Sequence, residues 1–293
     1  MRFGISIFPT DYAIPIAELA PAVKARGFDS LWVSEHTHLP VSRQTPYPGY
    51  HLGSRRAEAD GELPRFYKPT LDPFVALTAA AMVTSTLKLA TGMCLLVEHD
   101  PIDTAKRVSS LDHLSNGRVL FGIGGGWNRR EMENHGTRYE SRWKLLRERV
   151  EAMKEIWTRD EPEYHGEFVD FDSIWMWPKP VQKPHPPVIV GGNGPRTLRR
   201  VVRYGDGWCP NRGDYLGRIP ELRRLAAEAG RREIPITANA GAADQATIER
   251  HLKAGVERCV YWVPAEGRDA ALRRLEELTQ SLRPYVDAAK ISR

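Results

Sequence analysis

The sequence predicts a (β/α)8 barrel, because strand patterns and helix patterns alternate along nearly the whole chain. Eight of each fit into 293 residues, a normal length for one α/β barrel. The strand patterns are short, apolar and rich in β-branched or aromatic residues, without strict polar alternation, as in strands that are covered on both faces. An open, doubly wound sheet is the alternative arrangement of such units.

Each predicted strand is followed by a predicted helix, except where a long connection intervenes. In the helix patterns apolar residues recur every three to four positions, as at Ile16, Leu19 and Val23. Glycine marks helix ends, as at Gly27 and Gly255. The predicted strands are residues 3–8, 30–34, 87–91, 118–123, 187–190, 207–210, 235–239 and 259–263. The predicted helices are residues 16–26, 73–84, 104–114, 143–157, 195–204, 219–229, 245–254 and 268–282.

Two connections, residues 37–68 and 160–186, are longer than the rest and rich in proline. Long loops in a compact domain are typically lids or binding segments. The first leaves the carboxyl end of the second strand, where barrel enzymes place their active sites. The pattern contains no internal repeat and no low-complexity tract, so we expect one domain over residues 1–293.

The composition is that of a globular protein, with 41% hydrophobic and 27% charged residues. The longest apolar stretch, residues 74–83, is far shorter than the roughly 20 residues that span a bilayer. The amino terminus has a strand pattern and no signal-peptide features. We therefore expect a cytoplasmic protein that does not bind membranes. The three cysteines lie far apart, which argues against disulfides and a thiolate zinc site.

The formal net charge of +5 points to an anionic ligand. Nucleic acid is one class of anionic partner. However, the arginines are spread through amphipathic helices, with no basic arm and no strand face that combines aromatic and basic residues. We therefore expect no nucleic-acid partner, and phosphate groups on a small cofactor would suit this charge equally well.

The first segment with chemical potential is residues 32–38, which closes the second strand. Glu35 and His36 place a carboxylate beside an imidazole, a combination typical of acid–base catalysis. The alternative is that both side chains only form hydrogen bonds to the barrel backbone. Metal binding by His36 and His38 is another alternative, but further histidine ligands are missing from the ends of the fourth to sixth strands. We expect no metal.

Two further segments place glycines at strand ends. Gly92 interrupts an apolar strand end, which is typical of a bulge or a close backbone approach. Gly124, Gly125 and Gly126 follow the fourth strand, where backbone without Cβ atoms can contact a flat ring or a phosphate. The segment is not a dinucleotide-binding fingerprint, because the required glycine spacing does not lead directly into a long helix. A flexible tight turn is the alternative interpretation.

The fourth segment, residues 188–197, runs from a strand through glycines into a helix with proline near its first turn. Backbone amides and the helix dipole at such a helix start favour an anion. Arg196 would add positive charge there, unless its side chain points outward. We predict a phosphate-binding turn.

These segments in this order resemble the bacterial luciferase-like superfamily, and in particular its coenzyme F420-dependent branch. The resemblance covers nearly the whole chain and is more specific for the superfamily than for the cofactor. The segments that carry it are residues 3–5, 27–36, 120–128, 178–182, 186–192 and 204–208.

The resemblance implies a role for each segment. His36 and Glu35 match the pair beside the reactive centre, with the histidine as proton donor or acceptor. Gly92 and Met93 match a cis peptide behind the ring system. The chain departs from some deazaflavin enzymes at Trp127, where they have a glutamate, and this weakens the expectation of a sugar-phosphate dehydrogenase. The implied cofactor-binding residues are Gly92, Met93, Cys94, Gly124, Gly125, Gly126, Trp127, Gly191, Gly192, Asn193 and Gly194.

By this resemblance we expect a homodimeric oxidoreductase that transfers hydride between a deazaflavin, coenzyme F420, and a small organic substrate. His36 would move the accompanying proton and Glu35 would orient His36. The loop of residues 37–68, with Tyr47, Tyr50 and Phe66, would close over the substrate. An FMN-dependent monooxygenase is the close alternative. A non-catalytic flavin-binding protein and a metal-dependent hydrolase are more distant ones.

Overall fold

The strands of the protein close into a barrel. A computed structural model describes residues 1–49, 61–211 and 213–291. In it, eight parallel strands form one sheet, with neighbours in the order β6-β5-β4-β3-β2-β1-β8-β7, and a bridge between Trp208 and Ile236 joins the two ends of that order. The sheet therefore closes on itself, which confirms the (β/α)8 prediction over an open, doubly wound sheet. The strands are β1 Arg2–Ile7, β2 Ser30–Val33, β3 Lys88–Thr91, β4 Val119–Ile123, β5 Val188–Gly191, β6 Gly207–Cys209, β7 Thr237–Asn239 and β8 Arg258–Trp262.

The eight predicted helices are all present, and among the described residues one further short α-helix, Arg129–Asn134, was not predicted. Asp72, Asp100 and Asp244 cap three of them by accepting hydrogen bonds from backbone amides of the first turn. The cap at Asp100 starts its helix three residues before the predicted start, and Pro101 suits the first helical position. The helices are α1 Ile16–Ala25, α2 Pro73–Val83, α3 Pro101–Leu114, α4 Arg129–Asn134, α5 Arg142–Thr158, α6 Thr197–Tyr204, α7 Ile219–Glu228, α8 Gln245–Ala254 and α9 Arg268–Ile291.

The barrel has an inner and an outer core, because successive side chains of a strand point to opposite faces. The inner core is one cluster of buried residues from six of the strands. The larger outer core joins the opposite strand faces to the helices. Packing on both faces explains the continuous apolar strand patterns. The inner cluster consists of Trp32, Ala90, Leu120, Ile189, Cys209 and Val260.

Residues 160–186 pack against the outside of the barrel. Their only strands are Tyr164–His165 and Asp170–Phe171, which form a small antiparallel hairpin. Gln182 donates hydrogen bonds to the carboxylate of Asp112 on α3, and the backbone of Phe168 donates one to Glu148 on α5. This segment is therefore tied to α3 and α5.

In the described part of the chain, no helix has both the length and the apolarity that crossing a membrane requires. The expected cytoplasmic location stays a prediction. The three cysteines are buried free thiols, as the sequence predicts.

Candidate active site

A cavity of about 480 Å³ lies at the carboxyl ends of the barrel strands, which is a typical volume for a ligand-binding site. Because all the strands run in the same direction, the residues that follow them converge there. Each strand contributes a lining residue at or just after its carboxyl end. These residues are Ser6, Ser34, Gly92, Gly124, Gly191, Cys209, Asn239 and Trp262.

The cavity brings together residues that lie far apart in the sequence. Twelve of the thirteen site residues predicted from the sequence line it, and only Cys94 does not. Their contact with a cofactor stays a prediction. The twelve are Glu35, His36, Gly92, Met93, Gly124, Gly125, Gly126, Trp127, Gly191, Gly192, Asn193 and Gly194.

Glycine is required at two of these positions for different reasons. A Cβ at Gly125 would lie 2.4 Å from the indole of Trp143, so only glycine lets that ring pack against the loop. Gly192 has a φ of 111°, a backbone conformation that side chains disfavour. The peptide between Gly92 and Met93 is cis, as the family resemblance implies.

Cys94 is turned away from the cavity, which corrects its assignment as a cofactor-binding residue. Its backbone amide donates to the carbonyl of Gly122 on β4, at 2.8 Å. Met93 packs against the inner barrel cluster, whereas Cys94 belongs to the outer core. Neighbouring side chains of an extended segment point to opposite sides, so the two residues cannot both face the cavity.

His36 forms a hydrogen bond with Glu131, a residue that was not predicted from the sequence. Its Nδ1 lies 2.7 Å from Oε1 of Glu131, on the short helix α4. Burial lowers the pKa of His36 to about 4, although the charge of Glu35 partly opposes this. Burial and the repulsion of Glu35 raise the pKa of Glu131 to about 9. At neutral pH the pair is therefore a protonated carboxyl group that donates to a neutral imidazole.

Glu35 does not orient His36, which corrects a second expectation. Its Oε1 accepts a hydrogen bond from the backbone amide of Leu95, at 2.8 Å, and lies 2.6 Å from Nε2 of His99. Glu35 borders the cavity, but its carboxylate is bound behind the wall because it leaves the chain on the other side from His36. Glu35 thus anchors the segment after β3.

A third buried carboxyl group, that of Glu98, lies near Glu35 and Glu131. Among the described residues, neither of its oxygens has a hydrogen-bond partner. Burial and the charges of Glu131 and Glu35 raise the pKa of Glu98 to about 10. Glu98 and Glu131 are therefore both neutral at pH 7.

The described residues contain one cluster whose ligand atoms could surround a metal ion: Glu35, Cys94 and His99, with atoms within 4.8 Å of one another. Burial raises the pKa of the Cys94 thiol well above its usual value, whereas zinc binds the thiolate. Glu35 and His99 already bind each other. His36 and His38, the alternative pair, bond to Glu131 and Asn134 respectively. Neither arrangement favours a metal centre.

One wall of the cavity is aromatic. Phe8, Tyr67, Trp127 and Trp262 line it, and His36 lies among them, with its ring centroid 4.8 Å from that of Tyr67. Tyr47, buried behind this wall, and Thr45, Pro46 and Pro48 at the cavity bring the loop of residues 37–68 to the site. Tyr50, which we expected in the same role, lies outside the described residues. This wall suits an apolar group beside His36.

The opposite end of the cavity is polar and positively charged. Asn193 and Thr197 line it beside the glycines, with Arg142 and Arg200. A Cβ added to Gly194 would meet only the hydroxyl of Thr197, at 3.6 Å, so space remains for a ligand. Arg196, the arginine that the sequence predicted at this end, lines a neighbouring groove instead. Arg200 lies one helical turn after Arg196, and this spacing could have identified it as a second candidate from the sequence.

Comparison with known proteins agrees with this architecture. The family model described as luciferase-like monooxygenase matches residues 1–289. The uncharacterized protein Rv0953c of Mycobacterium tuberculosis is 40% identical over 287 residues, which cover 96% of this chain and 99% of that protein.

Two solved structures share the fold at low sequence identity. The coenzyme F420-dependent tetrahydromethanopterin reductase from Methanopyrus kandleri has a TM-score of 0.73 at 19% identity, covering 97% of this chain and 99% of its own. The monooxygenase RslO1 from Streptomyces bottropensis has a TM-score of 0.73 at 20% identity, with the same coverage.

The raised pKa of Glu98 predicts a pH-dependent effect of Glu98→Gln on stability. The folded chain keeps a proton on Glu98 up to about pH 10, whereas the unfolded chain releases it near pH 4.5. Stability therefore falls as pH rises between these values, by at most about 1.4 kcal/mol per pH unit. Glutamine does not titrate, so the variant should gain stability relative to the wild type from pH 5 to pH 9.

Urea unfolding at pH 5, 7 and 9 measures this difference. Glu133→Gln, an exposed site on the same helix as Glu131, is the matched control and should show no such gain. A difference between Glu98→Gln and the wild type that stays constant across the three pH values would contradict the prediction.

Proposed function

This chain belongs to the luciferase-like monooxygenase family, and from that premise we propose that it uses coenzyme F420 to transfer hydride to or from a small organic substrate. The observation that carries the proposal is that one cavity is lined by His36, by the cis peptide between Gly92 and Met93, and by the glycine turn at Gly192. The F420-dependent reductase with the same fold supports the choice of cofactor.

The lining residues fit a flavin-type cofactor. The cavity has a wall of aromatic and apolar side chains for a flat ring, and Nε1 of Trp127 is a buried donor without a hydrogen-bond partner among the described residues. Its other end has glycines with free space, a hydroxyl on Thr197 and the guanidinium of Arg200 for a phosphate. Met93 and the glycine loop also line the cavity.

A deazaflavin bound there would donate or accept the hydride. The protein's part is to hold the substrate against the aromatic wall and to move the proton that accompanies the hydride. Nδ1 of His36 faces Glu131, which leaves Nε2 to carry a proton on the cavity side. When Nε2 gives its proton to the substrate, Nδ1 takes the proton of Glu131. The imidazole thus stays neutral and Glu131 becomes the carboxylate; the opposite direction reverses both transfers.

The aromatic wall also restricts the substrate. Phe8, Tyr67 and Trp262 surround His36 with apolar surface, and the carboxyl group of Glu131 behind it is neutral. We propose a small substrate with an apolar body and one reducible or oxidisable group, such as an activated C=C, a C=N or an alcohol. The loop of residues 37–68 would exclude water from it.

An FMN-dependent monooxygenase is the second candidate, because the positively charged end suits either phosphate and RslO1 is as similar in fold as the reductase. A non-catalytic flavin-binding protein would not need the hydrogen-bonded pair of His36 and Glu131.

Fluorescence titration of the purified protein with F420 and with FMN, each oxidised and reduced, tests the choice of cofactor. We expect F420 to bind at least about tenfold more tightly than FMN, a difference of about 1.4 kcal/mol. Gly194→Leu should weaken binding because its side chain enters the phosphate end. Gly241→Leu is the control, since its added side chain also meets open space but outside the cavity. Tight binding of FMN alone would overturn the proposal.

The proposed proton path predicts distinct effects of two variants. His36→Ala should lower kcat by roughly 100-fold or more with the cofactor Kd unchanged, since general acid–base catalysis contributes about that factor. Glu131→Gln can still donate a hydrogen bond to Nδ1 but cannot release a proton. Glu131→Gln should therefore lower kcat less than His36→Ala does. In the wild type, proton donation should decline as pH rises through about 9, where Glu131 ionises, and the variant should lack this decline.

Turnover is measured with the best substrate from a panel of enones, imines and secondary alcohols. His38→Ala is the matched control, because this imidazole contacts Thr37 and Asn134 and does not line the cavity. Full activity of His36→Ala would refute the proton path while leaving cofactor binding intact.

We also propose that the protein is a homodimer that pairs through α2. The sequence of this helix is apolar on all faces, and Val75 and Met82 are 70% and 68% exposed. Val83 on the same helix and Leu114 on α3 extend the apolar surface. A helix that is apolar all round is normally buried, so a second copy of the chain is the proposed cover.

Val75→Glu combined with Met82→Glu should therefore convert the dimer into a monomer, measured by light scattering after size-exclusion chromatography. Val41→Glu introduces the same charge at an exposed apolar residue away from α2 and should leave the dimer intact. A monomeric wild-type protein would contradict this proposal.

A further inference from the structure

A second, open groove of about 670 Å³ adjoins the cavity on the outer surface of the barrel. It runs between the first half of α5 and the exposed face of α6, and Phe168 of the hairpin closes one side. Trp143 and Arg200 line both the groove and the cavity. The two spaces are therefore adjacent at these two side chains, at the positively charged end of the cavity.

The groove has a strong positive charge. Seven cationic side chains line it against two carboxylates, an excess that equals the formal net charge of +5 for the whole chain. Three of the arginines are on α6 and a fourth, Arg196, caps its start; spacings of three and four place them on one side of the helix. The cationic residues are Arg138, Lys144, Arg147, Arg196, Arg199, Arg200 and Arg203.

Internal ion pairs account for only part of this charge. Lys144 pairs with Glu167 and Arg203 with Glu151, and Glu140 pairs with Arg129 outside the groove. Within the described ranges, no carboxylate pairs with Arg196 at the start of α6, or with Arg199 and Arg200 on that helix. All three line the groove, and Arg200 also lines the cavity.

The groove also contains a buried donor. Tyr204 lines it and is only 4% exposed, yet its hydroxyl has no hydrogen-bond partner in the described part of the chain. A buried hydroxyl without a partner is costly, so a ligand acceptor at this point would be stabilising. Arg200 lies with its guanidinium 3.6 Å above the indole of Trp143, which holds it at the junction of the two spaces.

We propose that this groove binds a flexible polyanionic chain that continues from the phosphate of the ligand in the cavity. If the proposed function is correct, this chain is the carboxylate-bearing γ-glutamyl tail of coenzyme F420. Each tail residue carries a carboxylate that a guanidinium binds with two parallel hydrogen bonds. FMN ends at its phosphate and would leave the groove empty, so the groove favours the deazaflavin.

The test compares F420 forms that carry no glutamate, one glutamate and five or more glutamates, by fluorescence titration at low and at high salt. We expect the long tail to improve affinity by about tenfold at low salt, as several partly exposed ion pairs would, and most of this gain to disappear at high salt. Arg196→Gln combined with Arg199→Gln should abolish most of the gain and leave the affinity for the tail-free form within about twofold.

Arg232→Gln combined with Arg273→Gln is the matched control, because it removes the same charge from exposed positions outside the groove and should keep the gain. Tyr204→Phe should lower long-tail affinity without changing tail-free binding.

The outcomes separate this inference from the proposed function. Equal affinity for all tail lengths, or equal losses in the groove and control variants, would overturn the groove assignment while F420 binding still stands. Binding of no F420 form would instead refute the proposed cofactor. Binding of a single-stranded oligonucleotide that the groove variant abolishes would assign the groove to a different anion and overturn the inference.

Discussion

The whole site depends on one constraint: eight parallel strands in a closed barrel bring all their carboxyl ends to the same place. Gly92, Gly124 and Gly191 follow three different strands and still line one cavity. The strands determine where these segments lie, and the glycines leave room for close packing. The ring of Trp143, for example, can approach Gly125 only in the absence of a Cβ. The chemistry of the site is therefore fixed by short segments whose orientation the barrel determines.

Two of the three buried acids, Glu98 and Glu131, add no negative charge to the site at neutral pH. Glu98 and Glu131 lie in a low-dielectric region close to Glu35, and burial together with mutual repulsion keeps both protonated at neutral pH. Positive charge is concentrated at the other end, at Arg200 and in the groove beyond it. In the proposed function, the aromatic end with its neutral His36 and Glu131 would serve proton transfer, and the cationic end would bind the ligand's phosphate.

The sequence predicted the barrel because strand and helix patterns can be recognised locally and their number fits the chain length. It predicted the glycine segments because each follows a strand pattern directly in the sequence. It did not predict Glu131, since the contact with His36 joins residues 95 positions apart through a short helix without its own pattern. The family resemblance assigned Glu35 to His36 and Cys94 to the cavity, but a sequence match does not show which way each side chain points. Alternation along extended backbone separates them.

The most direct test of the account is a crystal structure of the protein with oxidised coenzyme F420. The account predicts that the tricyclic ring lies between Met93 and the aromatic wall, with His36 at its reactive edge and the phosphate against Gly192, Asn193 and Thr197. Electron density for the ring outside the cavity, or a phosphate at the end formed by Phe8 and Tyr67, would contradict it.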